Sequence, residues 1–471
     1  MPLSTKGGIM KQVHWGSKLG FVLATAGSAI GLGNIWRFPY LAGRYGGGSF
    51  LLLYILCVVG LGYFLLLGKL AFGRVAQTNI VDGFSVTAHK NKKKISALWG
   101  YLIGGLSVIN ALLVTGVYVV VIGWTLSYFV LSTVSLFGAP VQINTAMFEA
   151  LTSSFGSQMI WGGLCILITY SILIKGVKKG IERISFVLMP FLFVLLAFMV
   201  IWVFFLPNSG QGLSFLFVPD WRMLGFTSDG FNFHQFSDVL LAAVGQALYS
   251  LSMGLGVIFV YGSYLSGKTN LKSATKWIVG LDTLVAVMAG MIVLPAVFAF
   301  GMQPDSGPSL SFISLPVVFS QMIGGQIFMV MFFALLFIAA LTSLISIYEG
   351  IVNLLIGKWQ LSRNQATGLL AVVNGVVTAV ILASFTGKIS WHLMGQDLFG
   401  AIDTLTGTYT MSLMVLCVSI FMGWIVSTVL IRDIANGAGR LSKPFKRYLR
   451  FTLRFTAPIV LFVLLILPLL K

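Results

Sequence analysis

Long apolar runs alternate with short polar segments along the chain, and this pattern predicts a bundle of membrane-spanning helices. A helix needs about 20 apolar residues to cross the hydrocarbon core of a bilayer. Several runs exceed that length, so we expect some helices to tilt or to project into water. The fold class is therefore an all-α polytopic membrane protein with 11 transmembrane helices. The eleven runs are residues 16–41, 47–73, 98–133, 159–176, 183–206, 239–266, 275–300, 323–357, 365–386, 398–431 and 451–470.

The first run is interrupted by residues that a continuous membrane helix does not favour. Gly31 and Gly33 weaken a helix, Pro39 removes a backbone donor, and Asn34 and Arg37 are costly to bury in lipid. A span keeps such residues where it breaks and its freed backbone faces a cavity or a ligand. Breaks of this kind hold small ions or zwitterions at the middle of a bilayer.

The sixth run contains a second polar interruption. Ser250, Ser252, Gly254 and Gly256 form a flexible patch in an otherwise apolar stretch, five spans after the first break. Two broken helices at equivalent places in two halves of a chain indicate an inverted repeat. The alternative is that these glycines are close-packing positions between neighbouring helices.

These two breaks predict a 5+5 inverted repeat in which helices 1 and 6 are both broken at the midplane. The segments are an N-terminal segment at 1–15, repeats at 16–206 and 239–431, and an additional helix 11 at 451–470.

Composition and charge agree with a membrane protein. The chain is 58% hydrophobic and 9% charged, which is too little charge to cover a soluble domain. The net charge is +18, but 24 of the 30 Lys and Arg residues fall at the N-terminus or in alternate loops. This follows the positive-inside rule and predicts a multi-pass protein of the plasma membrane, with a cytoplasmic N-terminus and an outer C-terminus. Nucleic acid is not expected as a partner.

Residues typical of enzymes or metalloproteins do not form a recognisable set. The three cysteines lie within spans and the four histidines are scattered, which predicts no disulfide framework and no metal cluster. The sequence also has no phosphate-binding loop and no nucleophile–base pair, so an enzyme is not expected.

The chain resembles the neurotransmitter:sodium symporter family, and most closely its bacterial amino-acid transporters with the leucine-transporter fold. The resemblance rests on residues 27–39, on residues 245–256 and on Leu341-Thr342-Ser343, in the family's order and spacing. It implies a sodium-coupled symporter that binds a small-molecule amino acid in the bilayer.

The resemblance implies two sodium sites. The first uses the Ala29 carbonyl, Asn34, Ser250 and the substrate carboxylate, with Asp282 as a further ligand. Asp282 also supplies a fixed negative charge, so no chloride requirement is expected. The second site uses five groups, which are the carbonyls of Gly27, Ile30 and Ala339 and the hydroxyls of Thr342 and Ser343. For Thr342 and Ser343 the alternative is ordinary hydrogen bonding to the preceding helical turn.

The resemblance also implies a substrate site. Backbone amides at the first break and the Tyr118 hydroxyl would bind a carboxylate, and carbonyls at the second break with the Ser252 hydroxyl would bind an ammonium group. The side-chain pocket has no charged residue, which predicts a neutral substrate. The thirteen residues of the substrate site are Ala29, Gly31, Leu32, Gly33, Val114, Tyr118, Val121, Tyr249, Ser250, Ser252, Leu255, Ser343 and Ile347.

Charged and aromatic residues match the family's gates. Arg37 and Asp403 correspond to an outer gate, above a lid formed by Tyr118 and Tyr249. The alternative for Arg37 is that its side chain extends to the outer interface. In span 5, the glycine at position 180 and the proline at position 190 resemble a family motif at which the helix unwinds and admits water.

Two departures from the family affect coupling. Gln12 and Gly357 stand where many relatives have an inner-gate ion pair, and Lys69 stands where relatives have a carboxylate. The sequence therefore favours a sodium-coupled importer of neutral, apolar or aromatic L-amino acids. Two alternatives stay open, which are proton coupling, suggested by Lys69 and Asp282, and an amino-acid sensor that does not transport. The oligomeric state stays open too.

Overall fold

The structure is a computed structural model that describes residues 14–94, 96, 98–138, 143–228, 230–301 and 310–470. Of the predicted N-terminal segment, only His14 and Trp15 lie within these ranges, and Gln12 lies outside them. The described chain is helical apart from turns and two short hairpins. The hairpins are β1 (Phe226–Thr227) with β2 (Gly230–Phe231) and β3 (His392–Leu393) with β4 (Gln396–Asp397), both antiparallel.

Within the described residues, nine helices are long and apolar enough to cross a membrane, and a bent pair adds a tenth span. The bent pair is α1 (Lys18–Ala29) and α2 (Gly33–Arg44), whose axes meet at 53°. The nine helices are α3 (Gly48–Ala76), α5 (Gly100–Leu136), α7 (Phe155–Leu173), α8 (Val177–Val203), α12 (Leu271–Ala299), α14 (Gly325–Trp359), α15 (Arg363–Phe385), α16 (Leu398–Ile425) and α18 (Lys443–Leu467).

The remaining predicted span, 239–266, is divided between two helices. They are α10 (Phe233–Ser250) and α11 (Val257–Ser263), with residues 251–256 outside both. The last helix begins at Lys443, earlier than the predicted 451, because a basic helical turn continues directly into the apolar segment. The total of eleven spans stays a prediction.

Shorter helices connect the spans. They are α4 (Ile80–Lys90), α6 (Thr145–Ser153), α9 (Ser209–Phe217), α13 (Ser311–Gln321) and α17 (Ser427–Ala438). Side-chain caps define several helix starts, because polar side chains satisfy backbone N–H groups that lack an intrahelical partner. The Ser17 hydroxyl caps α1 by accepting a hydrogen bond from the Gly20 amide at 2.9 Å.

The two broken spans lie at the centre of the bundle. Half-helix α1 packs against α8, α12 and α14, and half-helix α11 packs against α3. Helix α14 in turn lies along α5. This arrangement brings both breaks next to residues from α5, α12 and α14, where the candidate site forms.

Candidate functional site

The breaks in the two spans touch each other. Ser252, in the non-helical segment 251–256, has a left-handed backbone with φ of 52°. Its hydroxyl donates a hydrogen bond to the Ser28 carbonyl at 2.9 Å, and Ser28 lies just before the first break. Unwound backbone carbonyls and half-helix ends are the groups that transporters use to bind Na⁺ and substrates.

The residues predicted for the first sodium site form one buried cluster. The Asn34 amide donates to the Ser250 hydroxyl at 2.9 Å and to the Asp282 carboxylate at 2.8 Å. The Ser250 hydroxyl donates to the other Asp282 oxygen at 2.6 Å. Ala29 and Ser250 both line the adjoining cavity. The cluster therefore offers carboxylate, hydroxyl and carbonyl oxygens beside the first break, while the Asn34 amide oxygen accepts a hydrogen bond from the Gly31 N–H at 3.1 Å.

The residues predicted for the second site also converge. The Ser343 hydroxyl lies 3.2 Å from the Ile30 carbonyl and 3.5 Å from the Gly27 carbonyl, across the gap between α14 and α1. The Thr342 hydroxyl lies 3.1 Å from the Ala339 carbonyl of its own helix. Thr342 thus makes the ordinary bond to the preceding turn, whereas Ser343 connects two helices.

A cavity of about 480 Å³ adjoins both clusters, and all thirteen residues predicted for the substrate site line it. Gly31 leaves the necessary room, because a Cβ there would lie 2.7 Å from the Ser343 hydroxyl oxygen and 3.4 Å from the Tyr118 hydroxyl oxygen. The Tyr118 hydroxyl is buried and has no hydrogen-bond partner among the described residues. Its free hydrogen-bonding capacity is suited to a polar group of a bound molecule.

The cavity lining includes apolar residues, which we call its lower wall, and two charged residues, which we call its upper wall. Val114, Val121, Leu255 and Ile347 form the lower wall, together with Met411, which the sequence did not indicate. Within the described residues, Arg37 and Asp403 are the only charged residues that line it. The apolar wall favours a neutral side chain, because an unpaired charge there would lose its hydration.

The predicted outer gate lacks its ion pair. The Arg37 guanidinium lies 4.8 Å above the centre of the Tyr249 ring, a cation–π contact. Among the described residues, Arg37 and Asp403 do not form an ion pair with each other. Arg37 therefore faces the cavity and stacks on the predicted lid.

Sequence reasoning missed an aromatic part of the cavity lining. Trp124 packs edge-on against Phe148 and Phe312, which stack on each other with centroids 5.7 Å apart. Phe148 and Phe312 belong to short helices outside the predicted spans, and nothing in their local sequence distinguishes them from other apolar residues.

A buried ion pair that the sequence analysis did not predict joins α14 and α15. The Arg363 guanidinium lies 2.5 Å from the Glu349 carboxylate, which is fully buried and accepts a hydrogen bond from the Tyr264 hydroxyl at 2.6 Å. Gly357 stands where many relatives have one partner of an inner-gate ion pair. In the structure it lies beside Asn79. Glu349 was visible in the sequence as a carboxylate within an apolar run, which is a signal of function.

Lys69 is buried rather than extended to the membrane surface. Its side chain is 3% exposed, and its ammonium group donates to the carbonyl of Met253 within the second break. A cation is favourable there, because the carbonyl end of half-helix α10 carries partial negative charge.

This geometry, with two broken helices around a cavity and oxygen clusters beside it, defines a class of ion-coupled transporters. The chain matches the Sodium:neurotransmitter symporter family over residues 12–139 and 146–471, and it belongs to that family. It is therefore a sodium-dependent symporter of the membrane and not an enzyme. The resemblance inferred from the sequence is confirmed.

Individual relatives cover nearly the whole chain. An uncharacterized sodium-dependent transporter of Bacillus subtilis (strain 168), YhdH, is 36% identical and matches 96% of this chain and 97% of its own length. An uncharacterized sodium-dependent transporter of Haemophilus influenzae is 31% identical, with coverage of 96% and 97%. The crystal structure of MhsT in complex with L-phenylalanine matches with a TM-score of 0.83 and 34% identity, and covers 96% of this chain and 98% of that chain.

Proposed function

We propose that this protein imports neutral, apolar or aromatic L-amino acids across the plasma membrane, driven by sodium. The observation that carries the proposal is the cavity between the two breaks, which combines an unpartnered Tyr118 hydroxyl with an apolar lower wall. The similarity to MhsT, whose structure holds L-phenylalanine, supports an amino-acid substrate.

The pose of the substrate follows from the polarity of the site. Its carboxylate would lie at the first break, close to the Tyr118 hydroxyl and the amides of Leu32 and Gly33, where the half-helix N-terminus carries partial positive charge. Its ammonium group would face the carbonyls of Tyr249 and Ser250 and the Ser252 hydroxyl. The Ser252 hydroxyl donates to Ser28 and keeps lone pairs that accept from an ammonium group.

We assign two sodium ions to the oxygen clusters. In the first cluster, built around Asn34, Ser250 and Asp282, the substrate carboxylate would complete the coordination, so that ion and substrate each strengthen binding of the other. In the second, Ser343 and Thr342 of α14 would join the Gly27, Ile30 and Ala339 carbonyls. By the positive-inside rule, the N-terminus is cytoplasmic and the C-terminus lies outside.

Proton coupling is the second candidate for the energy source. It is favoured by Lys69, which is buried beside the second break and makes no ion pair with a carboxylate among the described residues. Burial disfavours the charged form of an ammonium group that has no carboxylate partner.

The test is uptake of a panel of amino acids by the purified chain in proteoliposomes. An inward gradient of NaCl should drive uptake of Phe, Leu and Trp, while choline chloride should not, and Lys and Glu should compete poorly. Uptake that is equal in choline but driven by an inward proton gradient would favour the proton alternative. Binding without uptake under both gradients would favour a sensor.

Chloride should not affect transport. The Asp282 carboxylate lies within 3 Å of Asn34 and Ser250 and supplies a fixed negative charge beside the first sodium site, so a bound anion is unnecessary. Replacing chloride by gluconate at constant Na⁺ should leave the uptake rate unchanged. A several-fold loss of rate in gluconate would show that Asp282 does not have this role.

A further inference from the structure

Glu182 is a buried acid that the proposed sodium and substrate sites do not use. It is 5% exposed and ends the first, π-helical turn of α8, Val177–Glu182. Its carboxylate accepts a hydrogen bond from the Gly16 amide at 2.7 Å and from the Ser17 hydroxyl at 2.9 Å. Glu182 makes no ion pair with a described residue, so polar groups at the start of α1 stabilise its charge.

The start of α1 is shaped to receive this carboxylate. A Cβ at Gly20 would lie 2.1 Å from a Glu182 carboxylate oxygen, so any larger residue there would displace the acid. Ser17 uses its hydroxyl in both directions, since it accepts from the Gly20 amide and donates to Glu182. A carboxylate at a helix N-terminus also interacts favourably with the partial positive charge of the helix.

The contact joins two elements with different roles. Half-helix α1 carries the carbonyls of Gly27 and Ile30, which we assign to the second sodium site. Glu182 lies in the part of α8 that precedes Pro190, and a proline inside a helix removes one backbone hydrogen bond. π-Helical turns are also frequent at functional positions. The Glu182 carboxylate therefore connects the start of α8 to the half-helix that carries these carbonyls.

Other contacts at the start of α1 use the Trp15 indole and the Lys18 ammonium group, which donates to the Ser273 hydroxyl at 3.3 Å. The Trp15 indole donates to the Tyr261 carbonyl at 3.1 Å, and its ring packs edge-on against Tyr261. Within the described residues, Glu182 is the only carboxylate that bonds to residues 15–20.

We propose that Glu182 is a positioning residue for the second sodium site, on which it acts by holding the start of α1 in place. The proposal rests on the proposed function for the sodium site, whereas the contact itself is testable without it. Loss of the carboxylate charge should loosen the first turns of α1, and the Gly27 and Ile30 carbonyls should then bind Na⁺ less well.

Hydrogen–deuterium exchange of the purified full-length chain tests this directly. In Glu182→Gln, we expect amides of residues 16–24 to exchange about three- to tenfold faster than in the wild type in the presence of Na⁺. Gly20→Ala should give a similar increase without removing a charge, because the added methyl group displaces the carboxylate. Glu149→Gln, a change at an exposed acid on α6, is the matched control and should leave exchange unchanged.

The double variant Glu182→Gln/Gly20→Ala distinguishes positioning from general destabilisation. If both residues act through one contact, the double variant should exchange no faster than the faster single variant. Wild-type exchange in Glu182→Gln, or fold-increases that multiply in the double variant, would overturn the proposal.

A sodium series separates this inference from the proposed function. Na⁺ should slow exchange of residues 16–24 in the wild type, and Glu182→Gln should need about three- to tenfold more Na⁺ for the same protection. If Na⁺ has no effect on the wild type, the second sodium site is wrong, while the variants still decide whether Glu182 holds α1. If the wild type and Glu182→Gln need the same Na⁺ concentration for this protection, the positioning role is wrong and the sodium site stands.

Discussion

Replacing Tyr118 with phenylalanine is expected to weaken binding of every amino-acid substrate by about one to two orders of magnitude. The Tyr118 hydroxyl is buried, faces the cavity and has no partner among the described residues, so it is available to the substrate carboxylate. A hydrogen bond to a charged group contributes about 1.5–3 kcal/mol, and each 1.4 kcal/mol is a factor of ten in affinity. Competition by Leu and Trp against a labelled substrate measures the effect.

Leu255→Phe provides the contrast to Tyr118→Phe. Leu255 belongs to the lower wall of the cavity, and a phenyl ring there should narrow the pocket and penalise Trp more than Leu. Tyr118→Phe should reduce both affinities by a similar factor, since the carboxylate is common to all amino acids. A changed Leu-to-Trp preference with intact overall affinity in Tyr118→Phe would place Tyr118 in the side-chain pocket and contradict the proposed pose.

Removal of either hydroxyl at the second sodium site is the second large effect that we expect. Ser343 lies 3.2 Å from the Ile30 carbonyl and Thr342 lies 3.1 Å from the Ala339 carbonyl, so both hydroxyls lie beside carbonyls that would share one cation. If each contact resembles a hydrogen bond to a charged group, its loss costs about 1.5–3 kcal/mol. Ser343→Ala and Thr342→Ala should each raise the Na⁺ concentration for half-maximal uptake about tenfold or more.

Thr169→Ala is the matched control for the sodium variants. Thr169 is a fully buried residue of α7 whose hydroxyl donates to the Cys165 carbonyl at 2.8 Å, as Thr342 does within α14. Its loss should affect thermal stability slightly and Na⁺ dependence not at all. An unchanged Na⁺ dependence in both Ser343→Ala and Thr342→Ala would remove the second sodium site.

Most of the membrane spans could be predicted from the sequence, because bilayer thickness sets the length of an apolar run. The predicted run at 98–133 corresponds to α5 (Gly100–Leu136), and 323–357 corresponds to α14 (Gly325–Trp359). Helix boundaries were harder to predict where a polar helical segment continues directly into an apolar one. α8 begins at Val177 rather than at 183, and α18 begins within a basic segment at Lys443.

The candidate site could be predicted only where its residues differ in polarity from their neighbours in the sequence. Asn34, Ser250 and Asp282 are polar residues within apolar runs, and their side chains bond to each other in the structure. Phe312 and Met411 also line the cavity, but an apolar residue that faces a cavity has the same local sequence as one that faces lipid.

Contacts between segments that are distant in the sequence could not be predicted. Glu182 and Gly16 are 166 residues apart, and no local pattern pairs them. Lys69 stood out as a charge within a span, but only the packing of α3 against α11 directs its ammonium group to the Met253 carbonyl.

The hydrogen bond from Ser252 to the Ser28 carbonyl means that the two breaks are not independent hinges. Ser252 keeps a left-handed backbone that a glycine would adopt without strain, at a cost of about 1–3 kcal/mol. What serine provides, and glycine lacks, is the hydroxyl that fastens one interrupted helix to the other. A shift of one interruption relative to the other must therefore break this bond or carry both interruptions along together.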